Sequence, residues 1–440
     1  SSHTDEKAFL KAFCVAVPFR CKFEVRGVTT YLVLAIFTLT YLIIASQKIP
    51  YLHLDRPSGA LTGAVLMVLA GVLTLDEAYH AINFDTITLL LGMMILVGYL
   101  RFARFFRYVT YLLLSRLHTG TQLLAGVILF SGVLSAIFVN DTICLMMTPL
   151  VVQLCEETKL DLKPFLIALA TASNIGSVMT LVGNPQNMLV GTYSGWSYGG
   201  FFLRMLPIGL LGLALNFGLI YLMFKKELAG KTWGKSHLVA PRVDLRLMRK
   251  GLIVLAGAMV GFLFSSKLAL VSIGAGTTII LWARKPPARA FERIDWALLL
   301  FFCGLFVVVA GLNKVSLVEK MFVPLKSFFG TSIWQQLWIF SWVSIFFSNL
   351  VSNVPFVIIA AHWVEAFAEP RTMWLALAMA STFAGNFTIV GSVANMIVME
   401  LSRDHARVPF WPFFKIGAPL TLLSTAMGVV ILGLYAMLGI

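Results

Sequence analysis

An eleven-residue segment that occurs twice constrains the fold of this chain more than any other feature. Thr180–Val190 reads TLVGNPQNMLV and Thr388–Val398 reads TIVGSVANMIV, so matching residues lie 208 positions apart (388 − 180). A spacing this long is not a solenoid period and indicates duplication of a whole half of the protein. Each copy interrupts an apolar segment with glycine and amide side chains. A helix broken within a membrane persists only where protein or a cavity surrounds it, and paired interruptions are typical of a transporter's binding site.

The composition is that of an integral membrane protein. Of the 440 residues, 59% are hydrophobic and 12% are charged, whereas a soluble domain has about 25% charged residues. The net charge of +14 alone would be compatible with nucleic-acid binding, but lysine and arginine are concentrated between apolar segments, as in cytoplasmic loops. We therefore predict a protein of the cell membrane (inner or plasma membrane) without a nucleic-acid partner. The five cysteines lack metal-ligand spacing, and no metal site or cofactor is predicted.

The order of apolar segments predicts an all-α integral membrane fold made of two copies of one unit. The predicted parts are an N-terminal segment (1–29), a first transmembrane repeat (30–224), a basic cytoplasmic linker (225–250) and a second repeat (251–440). Each repeat is predicted to contain five transmembrane helices and one re-entrant hairpin. Because five is odd, the second repeat is inverted, and the two discontinuous helices meet near the midplane of the bilayer.

Two polar sequences lie near the centres of long apolar tracts. Asn140-Asp141-Thr142 lies within the tract 121–157, which could be one span with a polar tail or a hairpin with this triplet at its tip. A charged residue at the centre of a lipid-facing helix costs about 2.5–3.5 kcal/mol even on the mildest scale, so the hairpin is favoured. The tract 332–367, with Ser352-Asn353-Val354-Pro355 at its centre, predicts a second hairpin.

The distribution of basic residues leaves one conflict. A cytoplasmic linker places the arginines between 101 and 116 on the same side, as the positive-inside rule requires, but it places the basic N-terminal segment outside. Either the rule fails for this segment, or its sequence FLKAFCVAVPF is a further membrane-embedded piece.

The broken helices and the hairpin tips supply the candidate substrate-binding residues. Helix N-termini and short polar side chains suit polar solutes, and glycine permits close approach of a ligand to the unwound backbone. The alternative is that these polar groups pack the helices together. Thr180 and Thr388 are candidate caps of the half-helices. The substrate-binding candidates are Asn140, Thr142, Gly183, Asn184, Gln186, Asn187, Ser352, Asn353, Gly391, Ser392 and Asn395.

Asp141 is the carboxylate that lies deepest in an apolar tract. An unpaired charge is costly at that depth, so this side chain is predicted to carry a proton during part of the transport cycle. Asp85, Asp295 and Glu400 lie at the ends of predicted spans and are interpreted as caps or anchors.

At these motifs the chain resembles a known group of transporters. INFDTITLLLGMMILVG, VNDTICLMMTPLVV and FAGNFTIVGSVANMIV resemble the ArsB/NhaD branch of the ion transporter superfamily, which includes arsenite efflux pumps and sodium/proton antiporters. The resemblance covers the chain from about residue 30 and implies inverted repeats with a scaffold part and a transport part. More distantly, the hairpin tips look like the Ser-Asn-Thr tips of divalent anion/sodium symporters. Here Asp141 replaces the central Asn of that triplet, and Pro355 stands where Thr is expected.

The sequence predicts a secondary transporter and no enzyme. It contains no Walker A motif and no catalytic Ser, His and Asp arrangement, so energy must come from an ion gradient or a separate ATPase subunit. The inferred cavity is nearly uncharged, without Arg or Lys near the tips. The leading hypothesis is therefore proton-coupled efflux of neutral arsenite or antimonite by alternating access. Sodium/proton antiport and transport of small inorganic or dicarboxylate anions are alternatives, and a passive channel is a further class.

The predicted partners follow from this function. They are a small inorganic solute, protons and membrane lipid, and the further candidates are a second copy of the chain in a homodimer and a soluble ATPase subunit docked on the basic linker.

Overall fold

The computed structural model describes residues 26–46, 55–232 and 241–439, which fold almost entirely into α-helices. The helices of the first half are α1 (Arg26–Ser46), α2 (Arg56–Leu69), α3 (Leu75–Ala81), α4 (Phe84–Phe102), α5 (Phe105–Arg116), α6 (Gly120–Ile137), α7 (Asn140–Thr158), α8 (Leu162–Ser177), α9 (Pro185–Ser194), α10 (Tyr198–Met223) and α11 (Lys225–Leu228). Those of the second half are α12 (Leu245–Phe264), α13 (Leu268–Ala283), α14 (Ala288–Phe291), α15 (Trp296–Lys314), α16 (Leu317–Phe329), α17 (Ile333–Val351), α18 (Asn353–Val364), α19 (Pro370–Ala384), α20 (Val393–Leu401) and α21 (Phe410–Leu438). The N-terminal piece FLKAFCVAVPF lies outside the described residues, as does the middle of the basic linker.

Several of these helices are suited to a bilayer. Among the described residues, six helices are long and apolar enough to cross a membrane, namely α4, α6, α10, α12, α15 and α21. Shorter apolar helices are α2, α13, α18 and the part of α1 from 29 to 44. The predicted all-α membrane fold is confirmed.

The two halves pack in the same way. The contact of α4 with α13 has its counterpart in α15 with α2, that of α6 with α8 in α17 with α19, and that of α10 with α8 in α21 with α19. Each half therefore contributes five crossings (α1, α2, α4, the broken pair α8–α9, and α10 in the first) and one hairpin (α6–α7). The odd number inverts the second half relative to the first, as predicted.

The contacts divide the described helices into two groups. The scaffold helices, α1, α2, α4, α12, α13 and α15, pack mainly on one another. The broken-helix group comprises α6–α10 and α17–α21. Within it, α9 of the first half packs on the hairpin arm α18 of the second, and α20 of the second half packs on the arm α7 of the first. Each half thus completes the surroundings of the other half's hairpin.

Two glycines permit the close crossings of the scaffold helices. A Cβ atom at Gly304 of α15 would lie 2.6 Å from the carbonyl carbon of Ala60 on α2, and a Cβ atom at Gly92 of α4 would overlap the backbone of Ser272 on α13. The two contacts are equivalent, because both pairs are separated by 212 positions (304 − 92 and 272 − 60). The crossing distance is therefore set by the absence of a side chain at these two sites.

We expect Gly92→Ala and Gly304→Ala each to destabilise the protein by about 1–3 kcal/mol, since the added methyl group meets backbone that cannot rotate away. The measurement is the apparent unfolding temperature of the purified protein in detergent. Gly274→Ala is the matched control, because a Cβ atom on that face of α13 meets no atom within 4 Å. Equal unfolding temperatures for Gly304→Ala and Gly274→Ala would contradict the role of close packing.

An ion pair joins the two halves of the scaffold at one end. Lys314 Nζ, at the end of α15, lies 2.6 Å from both carboxylate oxygens of Glu77 on α3. Glu77 also accepts a hydrogen bond from the backbone N–H of Thr74 at 2.7 Å, as part of a capping box. These contacts, the Lys314 bond first, lower the pKa of Glu77 to about 2.

The stabilisation from Glu77 is expected to depend on pH. A lowered folded-state pKa stabilises the protein above the ordinary value of 4.5 and loses this effect as pH falls toward about 2. The difference in unfolding temperature between the native protein and Glu77→Gln should be constant above about pH 5.5 and shrink below pH 4.5. Both partners are largely exposed, so the difference is small. A difference that grows on acidification would contradict the ion pair.

Candidate functional site

The first broken helix stops at Ser177 and resumes at Pro185. The break leaves backbone carbonyls without helical partners, deep in the protein. The side chain of Asn187 binds them, because its Nδ2 donates to Ser177 O at 3.1 Å and to Thr180 O at 2.9 Å. Asn187 is fully buried. Its amide group therefore holds the unwound segment in shape.

The second broken helix repeats this arrangement with Asn395, 208 positions later (395 − 187). Asn395 Nδ2 donates to Gly385 O at 2.6 Å and to Thr388 O at 3.0 Å, and this side chain is also fully buried. Both Nδ2 groups thus donate to the backbone in this structure, and substrate binding by Asn187 and Asn395 stays a prediction. The carbonyl groups freed by each break accept these hydrogen bonds, since no water is available to them within a membrane.

Each second half-helix begins with a capping side chain. Asn184 Oδ1 accepts a hydrogen bond from the backbone N–H of Asn187 at 2.8 Å, and Ser392 Oγ accepts one from that of Ala394 at 3.2 Å. Asn184 and Ser392, predicted to bind substrate, are therefore N-caps, in agreement with the preference of Asn and Ser for this position.

The prediction that Thr180 and Thr388 cap the half-helices is wrong for Thr180, because Asn184 is the N-cap of the half-helix that follows the first break. Thr388 is the N-cap residue of a short 3-10 helix, Ile389–Gly391, but its side chain makes no capping hydrogen bond. Thr180 Oγ1 donates to Ala136 O on α6 at 2.5 Å, and Thr388 Oγ1 donates to Asn349 Oδ1 on α17 at 3.1 Å. They tie each break to the first arm of its own hairpin.

The glycines of the breaks are needed for contacts within the protein. A Cβ atom at Gly183 would lie 2.9 Å from Ser135 O, and one at Gly391 would lie 2.7 Å from Asn349 Oδ1. Gly183 O also accepts a hydrogen bond from the backbone N–H of Asn140 at 3.0 Å. The hairpin therefore closely approaches both glycines, and their contact with a ligand stays a prediction.

Asn174, on α8, joins the first hairpin tip to the second broken helix. Its Oδ1 accepts hydrogen bonds from Asn140 Nδ2 and Ser392 Oγ, both at 3.0 Å. Its Nδ2 donates to Asn386 Oδ1 at 2.9 Å and to Asn395 Oδ1 at 3.0 Å. We name these five side chains the amide network. It crosses between the two halves, is buried, and contains no charged residue.

Thr382, on α19, is the counterpart of Asn174 at the same 208-residue spacing (382 − 174). Its Oγ1 accepts a hydrogen bond from Asn184 Nδ2 at 3.1 Å and lies 3.4 Å from Asn187 Oδ1. Gln186 Nε2 lies 3.5 Å from Thr382 Oγ1. Sequence reasoning missed Asn174 and Thr382. The repeat would have identified both residues, since ALATASN before the first break matches ALAMAST before the second.

The hairpin tips carry two equivalent asparagines. Asn140 is the first residue of α7 and Asn353 the first of α18, and the Oδ1 atom of each is buried without a hydrogen-bond partner. Ser352, beside the second, turns the chain with a φ of 74°. The tips therefore correspond at a spacing of 213 (353 − 140), which places Asp141 opposite Val354. This corrects the alignment in which Asp141 replaced the central Asn.

Asp141 lines a small cavity of about 60 Å³ at the boundary between the scaffold helices and the broken-helix group. Thr142 lines it as well, and both residues are half-buried. Asp295, which caps α15 as predicted by accepting from Leu298 N at 2.9 Å, lies in the same cavity. The other lining residues are Met94, Val97, Gly98, Arg101, Val139, Leu145, Arg293, Leu298 and Ile397.

The presence of Arg101 and Arg293 in this cavity corrects the expectation that no basic residue lies near the tips. Arg101 ends α4, and Arg293 lies just before α15. Each is near the end of a scaffold helix, far in sequence from Asp141. The cavity that Asp141 lines is therefore charged on the scaffold side, and apart from Asp141 and Thr142 it is apolar on the side of the broken helices.

We expect Asn187→Ala and Asn395→Ala to lower the unfolding temperature by similar amounts. Each change leaves two buried carbonyl groups unpaired, at about 1–3 kcal/mol per group. Gln335→Ala, at an exposed position on α17, is the control. A large effect at one asparagine and none at the other would contradict their structural equivalence.

Comparisons with known proteins agree with this arrangement. A family model described as "Citrate transporter" (CitMHS) matches residues 40–384. The silicon efflux transporter LSI3 of Oryza sativa is 30% identical, over 90% of this chain and 96% of its own. The putative transporter arsB of Dictyostelium discoideum is 28% identical, over 92% and 93%. The structure is similar to that of the YdaH transporter of Alcanivorax borkumensis, with a TM-score of 0.57, 15% identity and coverage of 94% and 98%.

The matched region includes both hairpins and the first broken helix, and the fold is that of a membrane transporter with inverted repeats. The chain is a secondary transporter that belongs to the CitMHS citrate transporter family of the ion transporter superfamily.

Proposed function

We propose that this transporter exports small uncharged hydroxy acids of inorganic elements, arsenous and antimonous acid first among them, in exchange for protons carried by Asp141. The observation that supports this most is the amide network, a buried, uncharged polar site shared by the two halves. It lies next to a hairpin tip that carries a single carboxylate, Asp141. Silicic acid belongs to the same chemical class, and a relative is named a silicon efflux transporter.

The chemistry of the tips fits such a solute. The unpaired Oδ1 atoms of Asn140 and Asn353 are acceptors, and a buried acceptor without a donor is costly. A hydroxyl group of As(OH)3 or Si(OH)4 donates a hydrogen bond without bringing a charge into the site. A fixed anion would instead require a cation beside it, and the amide network supplies none.

Asp141 is proposed to couple solute movement to protons. Its carboxylate lies between the tip and the scaffold, where the cavity also contains Arg101 and Arg293. Movement of the broken-helix group relative to the scaffold would change the distance from Asp141 to these arginines. A carboxylate whose neighbours differ between two conformations exchanges its proton differently in each, as alternating access requires.

The test is transport into everted vesicles or proteoliposomes with an imposed pH gradient, using arsenite, antimonite, silicic acid, Na⁺ and citrate. We expect proton-dependent uptake of the neutral acids, reduced to background by Asp141→Asn. Asp85→Asn, an exposed carboxylate in the first turn of α4, should retain full activity. Proton-coupled uptake that survives in Asp141→Asn would remove this residue from the mechanism.

A second candidate function is transport of a carboxylate anion such as citrate. Arg101 and Arg293 in the Asp141 cavity favour it, because guanidinium groups bind carboxylates in a bidentate manner, and so does the family description. In the same assay, uptake of citrate but not of arsenite would select this candidate. Uptake of Na⁺ alone against protons would select the sodium/proton antiporter.

A further inference from the structure

Two large cavities lie at opposite ends of α15 and are related by the internal repeat. The first, about 600 Å³, is formed by the end of α4 with α5 and α7. The second, about 610 Å³, is formed by the end of α15 with the equivalent helices α16 and α18. A helix of 19 residues is about 28 Å long, so the cavities are separated by roughly the thickness of the hydrocarbon core.

The linings differ in charge although the backbones correspond. Five arginines and no carboxylate line the first cavity, which we name the arginine vestibule. The second is lined by one acid, Glu319, with Lys326 and His362. The internal repeat does not require this difference in charge. Positive side chains are concentrated in the cavity at the N-terminal end of α15. The vestibule arginines are Arg101, Arg104, Arg107, Arg289 and Arg293.

Contacts with the protein hold some of these arginines in place without neutralising them. The Arg293 guanidinium lies over the ring of Phe102, with its carbon 4.6 Å from the ring centre. Arg104 Nη1 donates to the backbone oxygen of Arg242 in the linker at 3.2 Å. Arg101 Nε is buried without a hydrogen-bond partner. No ion pair between described residues includes a vestibule arginine.

Five like charges around one cavity repel one another, and a bound anion would offset that repulsion. A carboxylate engages one guanidinium fork, whereas a phosphate group presents three or more oxygens to several forks at once. The vestibule is also bounded by α5, and Arg104, just before this helix, contacts the linker at Arg242. We propose that the arginine vestibule binds a phosphate group with two negative charges, either the headgroup of an anionic lipid or a soluble phosphate compound.

The proposal is tested with the full-length protein in nanodiscs of phosphatidylcholine, by following the unfolding temperature. The probes are phosphatidic acid added to the bilayer and inorganic phosphate added to the buffer at constant ionic strength. A ligand that binds the native state raises this temperature. We expect at least one probe to raise it. An effect of phosphatidic acid alone identifies a lipid headgroup, and an effect of inorganic phosphate identifies a soluble source.

The variants separate a specific site from a general charge effect. Arg107→Gln/Arg289→Gln should weaken the affinity for the active probe by at least about tenfold, since each change removes a charged hydrogen-bond donor to the phosphate group. Arg246→Gln/Arg249→Gln removes two exposed charges from α12, outside the vestibule, and should bind normally. No response to either probe, or an equal loss in the α12 control, would overturn the proposal.

Discussion

The fold depends on how two interrupted helices satisfy their free backbone groups inside a membrane. Without water, a carbonyl released from a helix must find a donor within the protein. One asparagine in each half provides two such donors, Asn187 at the first break and Asn395 at the second. Their oxygen atoms then face the opposite half, where Thr382 and Asn174 lie. The interaction that stabilises each break therefore also connects the two repeats.

Because of this connection, the two copies form the candidate site together. The second half-helix of each break packs on the hairpin of the other copy, so residues of both copies surround each tip. A site formed in this way lies at the junction of the two halves. The amide network belongs wholly to the broken-helix group, so the proposed movement of that group against the scaffold would leave the network intact.

The internal repeat also shows where the two copies have diverged. The breaks retain the same contacts at a constant spacing of 208 residues, because the backbone geometry permits few alternatives. The hairpin tips share an asparagine but differ beside it, with Asp141 in one and Val354 in the other. The end cavities share shape and differ in charge. Divergence is thus concentrated where a side chain faces a cavity, which is where a transporter distinguishes its two sides.

The duplicated architecture, the positions of the breaks and tips, and Asp141 as the carboxylate at the first tip could all be predicted from the sequence. These features depend on apolar length and on repeated residues, both of which are local. What the polar groups contact became known from the packing of the helices. It assigned the Asn187 and Asn395 donors to the backbone, made Asn184 and Ser392 caps, and placed Arg101 and Arg293 in the cavity that Asp141 lines. Periodicity and spacing do not specify which distant side chain comes within 3 Å of an amide, because that depends on how the two inverted halves pack together.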